Sequence, residues 1–207
     1  MKNSLLFLLS VVFSSVMYGQ DALNDLKRIL EDPKMYRTYG QGNSDGLDIG
    51  IRYLDGWTSQ TYKPSERPYA VKRFEKSIND RCGVEYLILV QKNDKTLSKA
   101  DLKAEMQGLK NNGNWVIIAE KYGLYVDTQH AASVEMKVSE TVETSGADLT
   151  VYIHTKTVGI IYKNYLISIG YSVGGDSEQE ADALYNEYKP FFSAITNGFV
   201  IYSQWNK

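Results

Sequence analysis

Histidine, serine and cysteine carry most nucleophilic and acid–base chemistry, and this chain of 207 residues has two histidines and one cysteine. The segment Gly170–Gly174 matches the G-x-S-x-G pattern, in which a serine on a sharp turn attacks an ester or amide. That chemistry requires an acid and then a histidine after the serine, but His154 is the last histidine of the chain. Apolar alternation through Tyr171 and Val173 predicts a continuing strand instead, so a serine hydrolase using Ser172 is the least favoured function.

The remaining reactive side chains form no catalytic set. His154 is interpreted as a core or rim histidine with a hydrogen-bond partner, since no nucleophile or acid accompanies it. His130 could meet Asp127 or Glu135 at a metal, but the spacing matches no known ligand set. Cys82 excludes an intramolecular disulfide and is interpreted as a small structural residue. The sequence therefore predicts no catalytic residue, no metal site and no cofactor, and we expect a protein that is not an enzyme.

The elements that must position these residues centre on a hairpin over Asp148–Val173. Two β-rich runs flank Lys163-Asn164, and a two-residue connection between such runs predicts a tight turn. Pairing outward from that turn sets these residues opposite each other: Tyr162 and Tyr165, Ile160 and Ile167, Val158 and Ile169, Lys156 and Tyr171, His154 and Val173. The opposite face is mostly small, with Thr155, Thr157, Gly159, Ser168, Gly170 and Ser172. We therefore expect another element to pack closely there.

Three helices are predicted around this hairpin. The first begins at Asp21 and has an apolar stripe of Leu23, Leu26, Ile29 and Leu30. Capping-box spacing predicts that the others begin at Ser98, with Asp101, and at Ser177, with Glu180. The last helix has the largest stripe, formed by Ala181, Leu184, Tyr185, Tyr188, Phe191, Phe192 and Ile195. We expect this helix to cover the small-residue face of the hairpin.

The strand pattern defines the fold class and the domains. Further strands are predicted near 47–53, 69–74, 84–90, 115–119 and 132–142, and the apolar runs Leu87–Val90 and Trp115–Ala119 indicate strands buried on both faces. The predicted fold is α+β, with a mainly antiparallel sheet of about six strands sandwiched by helices on both faces. An N-terminal helix and linker over 20–46 precede a single α/β sandwich domain over 47–207.

Residues 1–19 are typical of a secretory signal peptide. Lys2 precedes an apolar core, Leu5–Phe13, and small residues follow up to Gly19. The core is too short to span a bilayer, so we expect cleavage before Gln20, no transmembrane segment and a periplasmic or secreted protein. The formal charge of −2 gives no electrostatic reason to expect nucleic acid as a partner.

The order of elements resembles that of the PsbP-like family, which includes exported bacterial relatives of an accessory subunit of the photosynthetic water-splitting complex. The resemblance covers about Leu47 to Phe199 and is carried by Asp55-Gly-Trp57 after the first strand, the tight hairpin, and a C-terminal helix closing on Ala194–Phe199. It implies an antiparallel sheet flanked by helices that serves as an assembly or interaction partner. It transfers no catalytic residue, because the family shares no single chemistry.

The remaining functional signal is aromatic and lies in the loop-rich first third of the chain. Exposed rings there could stack on a sugar or anchor a protein partner, and the candidates are Tyr36, Tyr39, Trp57, Tyr62 and Tyr69. Alternatively, Trp57 and Tyr69 fill the edge of the core. The predicted function is an exported non-enzymatic interaction or accessory domain with a protein partner in the cell envelope. The alternative is a small-molecule or glycan-binding module that uses these loops.

Overall fold

The computed structural model describes residues 19–80, 82–109, 115–143 and 148–205. The predicted signal peptide lies outside these residues except for Gly19, and so does the predicted turn at Ser145-Gly146. The helices are α1 (19–31), α2 (Lys99–Gly108) and α3 (Glu178–Asn197). The strands are β1 (Lys34–Arg37), β2 (Ile49–Tyr53), β3 (Thr58–Thr61), β4 (Ala70–Ser77), β5 (Gly83–Lys92), β6 (Val116–Val126), β7 (Gln129–Glu143), β8 (Asp148–Tyr162), β9 (Tyr165–Gly175) and β10 (Val200–Ile201).

Two antiparallel sheets organise these strands. The main sheet has seven strands in the order β3-β4-β5-β9-β8-β7-β6, and a small sheet has the order β1-β2-β10. All the strand pairs among the described residues are antiparallel. The predicted α+β class with a large antiparallel sheet is therefore confirmed, with one more strand in the main sheet than expected.

The central hairpin has the predicted register. Tyr162 lies opposite Tyr165, and the pairing continues outward without a shift to Tyr152 and Gly175. Lys163 occupies the turn with φ 54°, a conformation that is unfavourable for a residue with a Cβ. The chain after β5 holds this turn, because the Leu97 N–H donates to the Lys163 carbonyl at 2.8 Å.

The prediction that α3 covers the small-residue face of the hairpin is wrong. Its tyrosines and phenylalanines pack on the face of large side chains, where Tyr185 stacks on His154 and Phe192 contacts Tyr171. A Cβ at Gly175 would lie 3.0 Å from the Ala181 backbone nitrogen, so glycine allows the start of α3 to approach β9. The whole predicted stripe of α3 is buried. A broad apolar helix surface excludes most water when it packs on an equally broad apolar face of the sheet.

Helix α2 contacts the small-residue face instead. Leu102 and Met106 are buried in a second hydrophobic cluster with Ile161 and Leu166 of the hairpin. A Cβ at Gly159 would lie 2.6 Å from Met106 Cε, so the glycine is what lets the helix approach. The capping box predicted at Ser98 is present, since its side chain accepts from the Asp101 N–H while the Asp101 carboxylate accepts from the Ser98 N–H.

Strand β6 contradicts the prediction of a buried strand over Trp115–Ala119. It is the end strand of the main sheet, and Val116 and Ile118 are 61% and 46% exposed. Register shifts interrupt its pairing with β7 at two places. The apolar run resembled that of a central strand, but the position of a strand in a sheet is decided by its neighbours and not by its own composition.

Helix α1 buries a different stripe from the predicted one. Ile29 is fully buried and Leu26 is partly buried, but Leu23 and Leu30 are 59% and 58% exposed. Asp25 takes a buried place on this helix, where its carboxylate accepts from Lys76 Nζ at 2.8 Å and from the Tyr188 hydroxyl at 3.1 Å. Among the described residues, no helix combines the length and the apolar character needed to cross a bilayer.

Candidate functional site

His154 lies in a charged cluster between the sheet and α3. Strand β8 directs its imidazole towards α3, where only 4% of the residue is exposed and its ring lies 3.7 Å from the Tyr185 ring, nearly parallel to it. Nδ1 is 2.8 Å from Asp182 Oδ1 on α3, and Nε2 is 3.1 Å from Glu135 Oε1 on β7. The histidine therefore joins β7, β8 and α3 through both of its nitrogens.

Lysines complete this charged cluster. Lys137 pairs with Asp182 and, at 3.2 Å, with Glu178, and Lys189 lies 3.4 Å from Glu135. The hydrogen bond to Asp182 raises the pKa of Lys137 although partial burial opposes this. Burial, reinforced by the nearby Glu135 carboxylate, raises the pKa of Tyr185. Each carboxylate next to the histidine is thus shared with a lysine.

Both ring nitrogens of His154 are engaged by carboxylates, and this geometry stabilises the packing of α3 on β7 and β8. Ser172 lies on the opposite face of the sheet, where its hydroxyl is 3.0 Å from Thr155 Oγ1. His154 and Ser172 therefore cannot act as a catalytic pair, and Ser172 lies within β9, as the alternation predicted.

A pocket of about 180 Å³ opens beside the cluster. One wall is polar and includes Lys137, His154 and Asp182, and Val116 and Ile118 of the end strand β6 form part of the other. The volume is below that of a typical small-molecule site but is sufficient for one large apolar side chain. The sequence did not indicate this pocket, because its residues come from four separate elements.

Two of the five predicted aromatic contact residues belong to the core. Trp57 is 8% exposed and stacks on Phe191 with the ring centroids 5.0 Å apart. Tyr36 makes an edge contact with Phe74 at 6.3 Å and packs against the same core. Trp57 is therefore not available to a surface ligand, and the alternative interpretation of this residue as core filling agrees with the structure.

The other three predicted rings lie further out. Tyr39 and Tyr69 are 68% and 53% exposed, and the Arg37 guanidinium lies 4.8 Å from the centre of the Tyr39 ring. Tyr62 is half-buried beneath the guanidinium of Arg67 at 5.6 Å. The five rings therefore do not form one continuous surface.

The remaining predicted chemistry is also internally engaged. Asp127, proposed as a partner of His130, accepts instead from the Ile201 N–H and from the Gln204 amide, both at 2.6 Å. Burial raises the pKa of the Cys82 thiol to about 11, with a further contribution from Glu180. No group of three or more His, Cys, Asp or Glu side chains in the described ranges is arranged to hold a metal ion.

Fold and site together define a class: an α+β domain with a large antiparallel sheet and a buried histidine–carboxylate cluster. Neither a protein-family model nor a curated protein matches the chain. Among solved structures, it is similar to LpqN of Mycobacterium tuberculosis, which is involved in cell envelope biogenesis, with 13% identity and a TM-score of 0.46 over 82% of this chain and 91% of that one.

Two further solved structures show comparable similarity. The Ran-binding protein Mog1p of Saccharomyces cerevisiae has 16% identity and a TM-score of 0.46, covering 82% of this chain and 95% of its own. Protein PA94 of Pseudomonas aeruginosa, of unknown function, has 10% identity and a TM-score of 0.45, covering 81% and 96%. At these values the similarities support no inference about function, and the PsbP-like assignment stays a prediction.

Proposed function

We propose that this protein is an exported, non-enzymatic interaction domain of PsbP-like architecture, with helices over both faces of its main sheet, that docks a protein partner in the cell envelope. The periplasmic or secreted location is supported by the signal-peptide pattern of residues 1–19. The non-enzymatic role is supported by the internal engagement of the side chains that could do chemistry: His154 contacts two carboxylates and Ser172 contacts Thr155.

The observation that carries the proposal is the exposed apolar strand at the end of the main sheet. Val116, Ile118 and Tyr125 on β6 are 61%, 46% and 64% exposed. Because β6 is the end strand, one row of its backbone N–H and C=O groups faces away from the sheet, which is the surface used when a partner adds a strand.

The adjoining pocket supports the same surface. In strand addition, backbone hydrogen bonds supply affinity, and pockets for alternate side chains supply specificity. Val116 and Ile118 line the pocket beside His154, so a segment lying along β6 can place one side chain there. The partner we propose is thus a protein with an extended segment that contains an apolar residue.

A capture experiment with matched variants tests this function. The purified mature protein is immobilised and incubated with an envelope fraction, in parallel with a Val116→Glu/Ile118→Glu variant and a Leu23→Glu/Leu30→Glu variant. The second variant carries the same charges on α1, at residues that are similarly exposed. We expect one protein to be retained by the wild type and the α1 variant and to be lost from the β6 variant, because a buried carboxylate at the contact is costly.

Two results would contradict the proposal. The first is a failed capture, in which no protein is retained under several salt and detergent conditions or the β6 variant retains the same protein as the wild type. The other concerns catalysis: a fluorophosphonate probe that labels Ser172 in the folded protein would establish a serine hydrolase instead. We expect no labelling, since Ser172 and His154 lie on opposite faces of the sheet.

A further inference from the structure

The small-residue face of the hairpin is only partly covered by α2. The helix contacts the end near the turn, at Gly159, Ile161 and Leu166. Further along β9 a Cβ at Gly170 would meet no atom within 4 Å. A cleft of about 570 Å³ lies across this part of the sheet, between the open end of the β8–β9 hairpin and strands β4 and β5. Its volume is within the range of sites that hold small molecules.

The charges that line this cleft are balanced. Arg73 forms ion pairs with Glu75 at 2.8 Å and with Glu85 at 2.5 Å. Arg67, Lys76 and Glu140 bring the lining to three charges of each sign. Burial acts against the charge on Arg73, but Glu85 and Glu75 outweigh it and raise the pKa of its guanidinium. The cleft therefore has polar donors and acceptors without a surplus of charge large enough to select an ionic ligand.

One aromatic ring lines the same cleft, and a second ring lies next to one of the lining residues. Trp115 is half-buried against the α2 cluster and lines one side. On the other side Arg67 lines the cleft while its guanidinium lies 5.6 Å from the centre of the Tyr62 ring. Between them, the floor includes Ser172 and Gly174, whose small size exposes backbone to a ligand.

We propose that this cleft binds a neutral carbohydrate. A sugar ring has an apolar C–H face that stacks on an indole or phenol ring, and its hydroxyls both donate to carboxylates and accept from guanidinium groups. Paired charges of both signs, the Trp115 ring and a flat glycine–serine floor match this combination. The cleft is on the opposite face of the sheet from His154, so the proposal goes beyond the partner surface on β6 and does not depend on it.

Ligand titrations of the mature protein test the proposal. Cellohexaose, chitohexaose and maltohexaose are added while intrinsic tryptophan fluorescence is recorded, with alginate and chitosan oligomers as anionic and cationic counterparts. At least one neutral oligosaccharide should bind, with an affinity that salt leaves unchanged, because no net charge is neutralised. The proposal would be overturned if either charged oligomer bound more tightly than the neutral ones. It would also be overturned if no neutral oligosaccharide gave a response at about 10 mM, a concentration that populates even weak sites.

Two variants assign the binding to this cleft. Trp115→Ala removes a stacking ring, with Trp205→Ala as its control at a residue that is 67% exposed. Gly174→Phe fills the cleft, and space exists for its Cβ because the nearest atom is Val151 Cγ1 at 3.8 Å. Thr141→Phe adds the same ring at an exposed position of β7 outside the cleft. Both cleft variants should weaken binding at least about tenfold.

Folding and binding can be separated in these variants. Gly174→Phe replaces a strand glycine with a strong strand former, so its melting temperature should be at least that of the wild type while binding is lost. Binding is measured by calorimetry as well, because Trp115→Ala also changes the fluorescence signal. Retained binding in a folded Gly174→Phe variant, or equal loss in Thr141→Phe, would refute the assignment.

Discussion

One added methyl group tests the unexpected position of α2. A Cβ at Gly159 would lie 2.6 Å from Met106 Cε and 3.0 Å from Leu102 Cδ1. Both atoms are the far ends of flexible side chains, which can rotate aside at modest cost. Overpacking costs about 1–3 kcal/mol, and we expect Gly159→Ala to lower the free energy of unfolding by about 1 kcal/mol, the low end of this range.

The neighbouring strand provides a matched control on the same face of the sheet. A Cβ at Gly170 would have no atom within 4 Å. Because alanine restricts the unfolded chain more than glycine does, Gly170→Ala should be neutral or stabilising by up to about 1 kcal/mol. Urea unfolding followed by circular dichroism measures both variants, and unchanged slopes show that stability alone has changed.

A double-mutant cycle assigns the cost to the helix. Met106→Ala alone should destabilise the protein by about 2–5 kcal/mol, because it leaves a cavity in the second cluster. In that background the added methyl at position 159 no longer contacts the Met106 side chain, so the two substitutions should couple by about 0.5–1 kcal/mol. The packing of α2 on this face would be refuted if alanine at Gly159 and at Gly170 changed the free energy of unfolding equally. It would also be refuted if the cost of Gly159→Ala were the same with and without Met106→Ala.

Three further predictions follow from buried polar groups. Asp25→Ala leaves Lys76 and Tyr188 without their shared carboxylate and should cost about 3 kcal/mol in chemical unfolding. Arg28→Ala removes a half-exposed partner of Asp25 and an exposed hydrogen bond to the Asp55 carbonyl, and it should cost less than about 1 kcal/mol. Similar losses would contradict the buried position of Asp25. Burial and Glu180 raise the pKa of Cys82 to about 11, so a disulfide reagent at about pH 8 should label the thiol only after unfolding. Burial raises the pKa of Glu187, so the folded state holds its proton more tightly than the unfolded state does, and the associated stability is lost as pH rises through the folded pKa. Glu187→Gln should therefore raise the melting temperature at neutral pH but not below about pH 4. An equal gain at both pH values would exclude ionisation as the cause.

Part of the site could be predicted from sequence and part could not. The strand position of Ser172 follows from the two-residue period around it. The partners of His154 could not be predicted, since Asp182 and Glu135 come from α3 and β7. No periodicity within β8 contains that information.

Exposure was the least predictable property of the apolar side chains. Leu23 and Leu30 on α1 and Val116 and Ile118 on β6 have the composition of buried stripes but face outward. Hydrophobicity predicts that a side chain gains free energy by burial, but burial also requires a neighbouring element to provide a surface. For Trp57, Phe191 provides that surface, and the ring is buried although it lies in a loop.

The sequence by itself determined the hairpin turn at Lys163-Asn164, its register, the caps of α2 and α3 and the buried stripe of α3. These features depend on interactions between residues close in the chain or on a fixed alternation of side chains. Only the tertiary structure decided which helix covers which face of the hairpin, because that choice depends on fit: Met106 and Leu102 can approach Gly159, whereas the rings of α3 require the broad apolar face. Such fit exists only between elements far apart in sequence, after the chain has brought them together.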